Sequence, residues 1–450
     1  MAADPSPTLP LASPTPATLL GSRHEALPAA SLRRNAAWML GGNTVYAGCQ
    51  WAMLAVLAHV GTPAMVGQFV LALAVTTPVM AFFMLQLRVV QATDARRDYQ
   101  FGDYLALRLA TTAAALAVLV GIALAYGYRR EAALVIVAAA ISAGVDSLND
   151  IVYGLLQQHE WMERIAQSLI LKGAISLVAL STVVVATGSV FYGILAVAAV
   201  RGGILLCWDL RNAATLSGRV GGIGLRPRWR PRKLLAMAWL SLPLGITFML
   251  IVLTINIPRY FVEHFGGEGW LGIYGALDYL GFAGTTVIMA VGESAVPRLA
   301  HYHASAQTAA FAILLAKLAA VGAAIGAAGV AVTLVAGRPL LAVLYGPMYA
   351  EHSNLLVWTM IAAALGYVAA MVGYGVTAAR YFRIQIPLSL LAAAVTAVAC
   401  WWLVPRAGLV GAALAAAATG VTQLLSRGAV IGCALSAPRA ATLVWEGPQE

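Results

Sequence analysis

The chain has 450 residues, of which 61% are hydrophobic and only 10% charged, and its mean hydropathy is +0.82. A soluble domain is roughly a quarter charged and about half apolar, so this composition excludes an ordinary soluble protein and indicates a polytopic membrane protein. The net charge of +10 would point to nucleic acid in a soluble chain. Here Lys and Arg fall in short loops between apolar runs, which the positive-inside rule explains without a nucleic-acid partner.

Residues 1–35 are rich in Pro, Ala and Ser and lack the basic start and compact apolar core of a signal peptide, so they read as a disordered cytoplasmic tail. A bilayer-crossing helix needs about 20 apolar residues, and twelve stretches qualify: 36–60, 66–91, 104–127, 132–157, 164–187, 190–212, 236–262, 270–299, 308–336, 354–379, 384–404 and 408–435. The runs are long and continuous rather than short and alternating, which excludes a transmembrane barrel. "PLLAVLYGPMYAEH" (339–352) is too short to cross and is expected along the outer interface.

The basic segment 216–235, including Arg226, Arg228, Arg230, Arg232 and Lys233, separates an N-terminal lobe (36–215) from a C-terminal lobe (236–435), with a cytoplasmic tail at 436–450. Six spans per half make the halves parallel repeats related by a pseudo-two-fold axis. Most Lys and Arg, among them Arg96, Arg97, Arg164, Arg298, Arg380 and Arg383, then lie on one side. Arg129, Arg130, Arg259, Arg338 and Arg406 lie on the other. Both termini are therefore expected in the cytoplasm. Cys49, Cys207, Cys400 and Cys433 all fall in apolar runs without ligand spacing and read as packing residues.

Ionisable groups within the bilayer cost about 2.5–3.5 kcal/mol each on insertion scales and are paired or face a cavity. In "DSLNDIVYGLLQ", Asp146, Asn149, Asp150, Tyr153 and Gln157 share one helical face. Arg164, Ser168 and Lys172 share a face of the next span. Counted from the elbow near Glu160 at 1.5 Å per residue, Lys172 lies between the depths of Asp146 and Asp150. A hairpin ion pair of Lys172 with one Asp is expected, leaving the other Asp free or protonated. The same arithmetic pairs Glu293 with Lys317 across an elbow near Ala304. Arg88 and Arg108 flank the loop after the second span; Asp94, Asp98 and Asp103 neutralise them, or the two arginines form a phosphate site. Arg201, about eleven residues into its span, needs an internal anion, whether an acid from another span or a ligand. Arg259 and Asp278 complete the intramembrane charges. Asn43, Tyr46 and Gln50 form a polar stripe on the first span, which lines a cavity or joins helices.

No His pair with ligand spacing, nucleophile motif or Gly-rich phosphate loop appears, and no cofactor or metal is expected. The short outer loops leave no room for the acceptor site of a polymerase or ligase.

Several stretches resemble the polysaccharide or O-antigen flippase family of the multidrug/oligosaccharidyl-lipid/polysaccharide exporter superfamily. They are "FMLQLRVVQATDARRDYQFGDYLALRL" (83–109), "YGLLQQHEWMERIAQSLILKG" (153–173), "INIPRYFVEHFGGEGWLGIYGALDYL" (255–280), "GESAVPRLAHYH" (292–303), "LLAVLYGPMYAEH" (340–352) and "TAARYFRIQIP" (377–387). The resemblance implies an all-α inner-membrane protein with twelve helices in two six-helix lobes around a central cavity that opens alternately to either side. It also implies a polyprenyl-pyrophosphate-linked oligosaccharide as substrate, flipped to the outer leaflet within a glycan assembly machinery that includes a polymerase, with membrane lipids as surroundings. On that reading Arg88, Arg108, Arg201, Arg259 and Arg298, with Asn43 and Gln50, contact substrate. Asp146, Asp150, Asp278 and Glu293, with Lys172 and Lys317, serve coupling to H⁺ or Na⁺ or form internal ion pairs. The alternatives are a multidrug antiporter of the same superfamily, which calls for an acidic, aromatic cavity, and a non-transporting scaffold of a glycan assembly complex.

Overall fold

The computed structural model of the protein describes residues 32–94, 98–221, 223–381 and 384–436. Most of both expected tails, and the topology residues Arg96, Arg97 and Arg383, lie outside these. The described residues are helical throughout: α1 (Leu32–Val60), α2 (Pro63–Phe83), α3 (Leu87–Thr93), α4 (Phe101–Ala125), α5 (Arg130–Gln158), α6 (Met162–Thr187), α7 (Val190–Ile204), a π-helical turn (Leu205–Asp209), α8 (Leu210–Val220), α9 (Pro231–Ala304), α10 (Thr308–Tyr345), α11 (Pro347–Ala350), α12 (Ser353–Ala378) and α13 (Gln385–Ser436). Among the described residues, nine helical stretches are long and apolar enough to cross a membrane. Two of these, the 74-residue α9 and the 52-residue α13, are each interrupted by a glycine outside the helical region, Gly267 (φ 72°) and Gly408 (φ 59°). Only glycine adopts such backbone without strain, so each long helix is two limbs meeting at a sharp turn.

Local chemistry sets the other boundaries. The Thr62 hydroxyl accepts the Met65 amide at 3.4 Å, and Pro63 opens α2 at the position where a missing N–H costs nothing. Gly188 (φ 65°) closes α6 in the left-handed conformation favoured there. The expected elbow at Glu160 is a tight turn with Glu160 at φ 60°, and Ala306 at φ 59° makes the turn between α9 and α10. Two departures from the sequence reading stand out. The second span is broken between α2 and α3, where Leu85 and Gln86 are both left-handed at φ 49° and 50°. The stretch 339–352, expected as a separate interfacial segment, begins inside α10, which runs through Gly337, Arg338 and Pro339 to Tyr345. Cys400 is buried, whereas Cys207 and Cys433 are exposed on helix surfaces rather than packed.

The most extensive packing joins α2 to α9. Glycines allow it: a Cβ on Gly67 would overlap the Glu268 carbonyl, and one on Gly272 would overlap the Pro63 carbonyl. Gln68 Nε2 donates to Glu268 Oε2 at 3.0 Å beside this contact. At the other end, the basic linker is tied to the start of α4. The Arg228 amide donates to the Gly102 carbonyl at 2.8 Å, the Arg228 guanidinium donates to Gln100, and Arg219 lies 5.4 Å from the Trp161 ring centroid.

Candidate functional site

A cavity of about 480 Å³ opens among α1, α2, α5, α7 and both limbs of α9. Its walls are mainly apolar, with Met53, Phe69, Met80, Phe248 and Phe282, and its polar edge is made by Gln50, Ser142, Asp146 and Arg201. Two charge clusters on the polar face of α5 lie at this edge and behind it.

The first is centred on Asp146. Its Oδ1 accepts Lys172 Nζ at 2.9 Å, and its Oδ2 accepts Arg201 Nη1. The Lys172 ammonium also lies 5.3 Å and 5.2 Å from the ring centroids of Tyr46 and Tyr153, within the range of cation–π attraction. Tyr153 is held in place by a 2.7 Å hydrogen bond between its hydroxyl and Ser168. Gln50 Nε2 donates to the Tyr46 hydroxyl at 3.3 Å, which joins the stripe on α1 to the cluster.

The second cluster is centred on Asp150. Arg108 Nη2 donates to its Oδ2 at 3.1 Å, and Arg88 Nη1 lies 3.6 Å from its Oδ1. Arg88 also donates from Nε to Gln157 Oε1 at 3.0 Å and faces the Tyr153 ring at 5.6 Å. Arg108 is 0% exposed, and among the described residues its Nε and Nη1 have no partner. Each cluster thus sets two cations against one carboxylate. With these groups ionised the Asp150 cluster carries a surplus of one positive charge, and the Asp146 cluster does so when the neighbouring Asp209 is neutral.

A third pair joins the limbs of α9. Arg259 Nη2 donates to Asp278 Oδ2 at 2.8 Å and Nη1 to Asn256 Oδ1 at 2.9 Å, while Asn256 Nδ2 reaches Thr77 of α2 at 3.3 Å.

Several sequence expectations change here. The expected Lys172 pair forms with Asp146, but the second carboxylate is not left free, because Arg108 and Arg88 hold it. Arg201 finds its anion in the same Asp146. The loop acids do not neutralise Arg88 and Arg108; they serve the backbone instead. Asp103 accepts the Gln100 amide at 3.1 Å, and Asp94 accepts the amides of Asp98 and Tyr99 and the Tyr104 hydroxyl. Glu293 and Lys317 are exposed, and no ion pair joins them among the described residues. The buried stripes are Ile288, Gly292 and Leu299 on α9 and Phe311, Leu315 and Leu318 on α10. Matched depth does not bring together side chains that lie one position off those stripes. Arg298 is exposed and donates to the Tyr302 hydroxyl at 3.0 Å, and Asn43 is exposed on α1.

Sequence reasoning passed over Asp209. It lies eight residues beyond Arg201, two helical turns, and that spacing alone carried the signal.

This arrangement of helices around a cavity with a charged edge has counterparts among solved structures. The chain superposes on an inward-facing multidrug-resistance MATE family transporter of the MOP superfamily with TM-score 0.65 at 12% identity, covering 87% of this chain and 95% of that one. VcmN, a MATE transporter of Vibrio cholerae, gives 0.62 at 13% identity, covering 90% and 96%. A MOP superfamily transporter from Pyrococcus furiosus, described as having a binding pocket of reverse polarity that suggests a different function, gives 0.60 at 15% identity, covering 89% and 95%. These likenesses establish the fold. Residues 32–303 match the polysaccharide biosynthesis protein family, and the chain belongs to it. Capsular polysaccharide biosynthesis protein CapF of Staphylococcus aureus is 22% identical over 393 residues, 87% of this chain and 97% of CapF.

Proposed function

We propose that the protein flips a polyprenyl-pyrophosphate-linked oligosaccharide, the repeat unit of a surface polysaccharide, from the cytoplasmic to the outer leaflet by alternating access. On this reading the twelve crossings are α1, α2 with α3, α4, α5, α6, α7 with α8, the two limbs of α9, α10, α12 and the two limbs of α13. They form two six-helix lobes with both termini in the cytoplasm, and a H⁺ or Na⁺ gradient contributes to turnover. A glycan polymerase is the natural neighbour in the membrane.

The observation that carries the proposal is the cation surplus of the ion-pair clusters at the cavity edge and behind it. Among the described residues, Arg88, Arg108, Lys172 and Arg201 have only Asp146 and Asp150 within ion-pair distance. A site built for organic cations needs the opposite balance, so the antiporter reading is disfavoured. A diphosphate linkage supplies anionic oxygens that guanidinium groups bind in fork geometry, and the apolar wall suits the lipid end. Membership of a polysaccharide biosynthesis family points to the same substrate class.

Purified protein in proteoliposomes is expected to move a fluorescent lipid-pyrophosphate glycan between leaflets, with Arg201→Ala slowing it about tenfold or more. Folded wild-type protein that moves none of it, with or without an ion gradient, overturns the reading.

A further inference from the structure

The helix that carries Arg201 does not continue as a regular α-helix. At Leu205–Asp209 it widens into a π turn, in which the Leu210 amide donates to the Leu205 carbonyl. Such turns absorb one extra residue, redirect side chains and are frequent at functional sites. Asp209 closes this turn. It is 0% exposed, and among the described residues neither carboxylate oxygen has a hydrogen-bond partner.

Facing it are Asp146 and Tyr153 of α5 with Ser168 and Lys172 of α6. All have partners elsewhere, and of them the Ser168 hydroxyl also interacts with Asp209. The Ser168 hydroxyl is bonded to Tyr153 at 2.7 Å and Lys172 to Asp146 at 2.9 Å, while Arg201, two turns back on the same helix, also rests on Asp146. A carboxylate buried without a touching cation is costly, and the neutral acid far less so. A proton arriving at Asp146 or Asp150 would have to displace an ion pair. A proton on Asp209 breaks no contact.

We propose that Asp209 is a proton-binding site that controls the cavity edge through Lys172. With the proton on Asp209, Lys172 stays on Asp146, as seen here. When the acid dissociates to a carboxylate and a proton that leaves to water, the new anion draws Lys172 towards it, and Asp146 and Arg201 lose one of their restraints beside the cavity. Nothing is oxidised or reduced, and no covalent bond changes except O–H. The link to transport rests on the flippase reading; the proton site does not.

The test has two arms on the full chain. In detergent, infrared difference spectra across a pH titration are expected to show the C=O stretch of a buried protonated carboxyl in wild type. That band disappears in Asp209→Asn, which is isosteric with the protonated acid. Lys172→Gln, which leaves Asp209 intact, is expected to keep the band to higher pH because the competing cation is gone. In proteoliposomes, an imposed pH gradient is expected to accelerate wild-type glycolipid movement several-fold and to leave Asp209→Asn unchanged. Identical carboxyl bands in wild type and Asp209→Asn overturn the proposal, as does an undiminished gradient response in Asp209→Asn. If wild type moves no glycolipid yet the band is present, the flippase reading fails and the proton site stands. If Asp209→Asn does not fold, the Lys172→Gln titration decides: an unshifted band rules out Lys172 as the partner.

Discussion

Arg259 and Asp278 are nineteen positions apart along α9 and only 2.8 Å apart in space, because the chain turns back at Gly267 between them. The pair closes the fold between two helix limbs, with Arg259 largely buried and Asp278 about one-third exposed. Removing one partner strands the other, and for buried pairs that costs more than the pair itself contributes. Asp278→Ala is expected to lower stability by about 2 kcal/mol, less than a fully buried pair would because solvent reaches Asp278. Arg259→Met with Asp278→Leu is expected to recover much of that loss. A double-mutant cycle followed by thermal unfolding in detergent measures the coupling.

Lys172 is held by one carboxylate and two aromatic faces. Tyr153→Phe keeps the ring and removes only the hydrogen bond to Ser168, a loss of about 1 kcal/mol. Tyr153→Leu also removes the faces presented to Lys172 and Arg88 and is expected to cost more, by a further 1 kcal/mol or so. The ordering of the three unfolding midpoints, wild type above Phe above Leu, is the result to look for. Equal midpoints for Phe and Leu would show that the ring faces contribute nothing.

Close approach of α2 and α9 depends on Gly67 and Gly272. Gly67→Val is expected to push the Glu268 backbone away and break the Gln68–Glu268 hydrogen bond. Spin labels placed on α2 and on the second limb of α9 should then report a longer, broader distance. Substrate movement should fall at least tenfold if the two helices must meet during the cycle.

The linker after α8 lies on the start of α4, where a Cβ on Gly102 would overlap the Arg226 carbonyl. Gly102→Val is expected to lift the segment bearing Arg226 and Arg228. Limited trypsin digestion then cuts at these arginines several-fold faster than in wild type, with the helices otherwise intact.

The all-helical fold was legible in the sequence because lipid demands long apolar runs, and a helix is the only open segment that satisfies its backbone there. The expected span starts at 104, 132, 164, 190 and 308 lie within a few residues of the observed helices at Phe101, Arg130, Met162, Val190 and Thr308. The break at Leu85 and Gln86 was not legible, since neither residue favours left-handed backbone and only packing against Gly245 of α9 accompanies it. In the site, depth counting placed Lys172 between Asp146 and Asp150 because all three belong to one hairpin, where rise per residue is the controlling quantity, but it did not choose Asp146 over Asp150. It failed for Glu293 and Lys317 because depth says nothing about rotation about the helix axis. Arg201 with Asp146, and Arg108 with Asp150, join helices whose mutual rotation is set by tertiary packing, beyond the reach of periodicity. The π turn is also invisible to a fixed 3.6-residue period, and with it went the placement of Asp209.

That turn has a consequence for how the chain tolerates changes in length. A π turn is an α turn with one residue inserted, so the helix axis on either side already accommodates a surplus residue. Deleting the exposed Cys207 would let Leu205 through Val220 close into an unbroken α-helix with the faces of α7 and α8 still aligned. The same deletion in the middle of α7, at Leu195 for example, would turn everything after it by about 100° and carry Arg201 off Asp146. The helix running from α7 through α8 therefore has a place where a residue can be lost, and the residue whose setting would change there is Asp209.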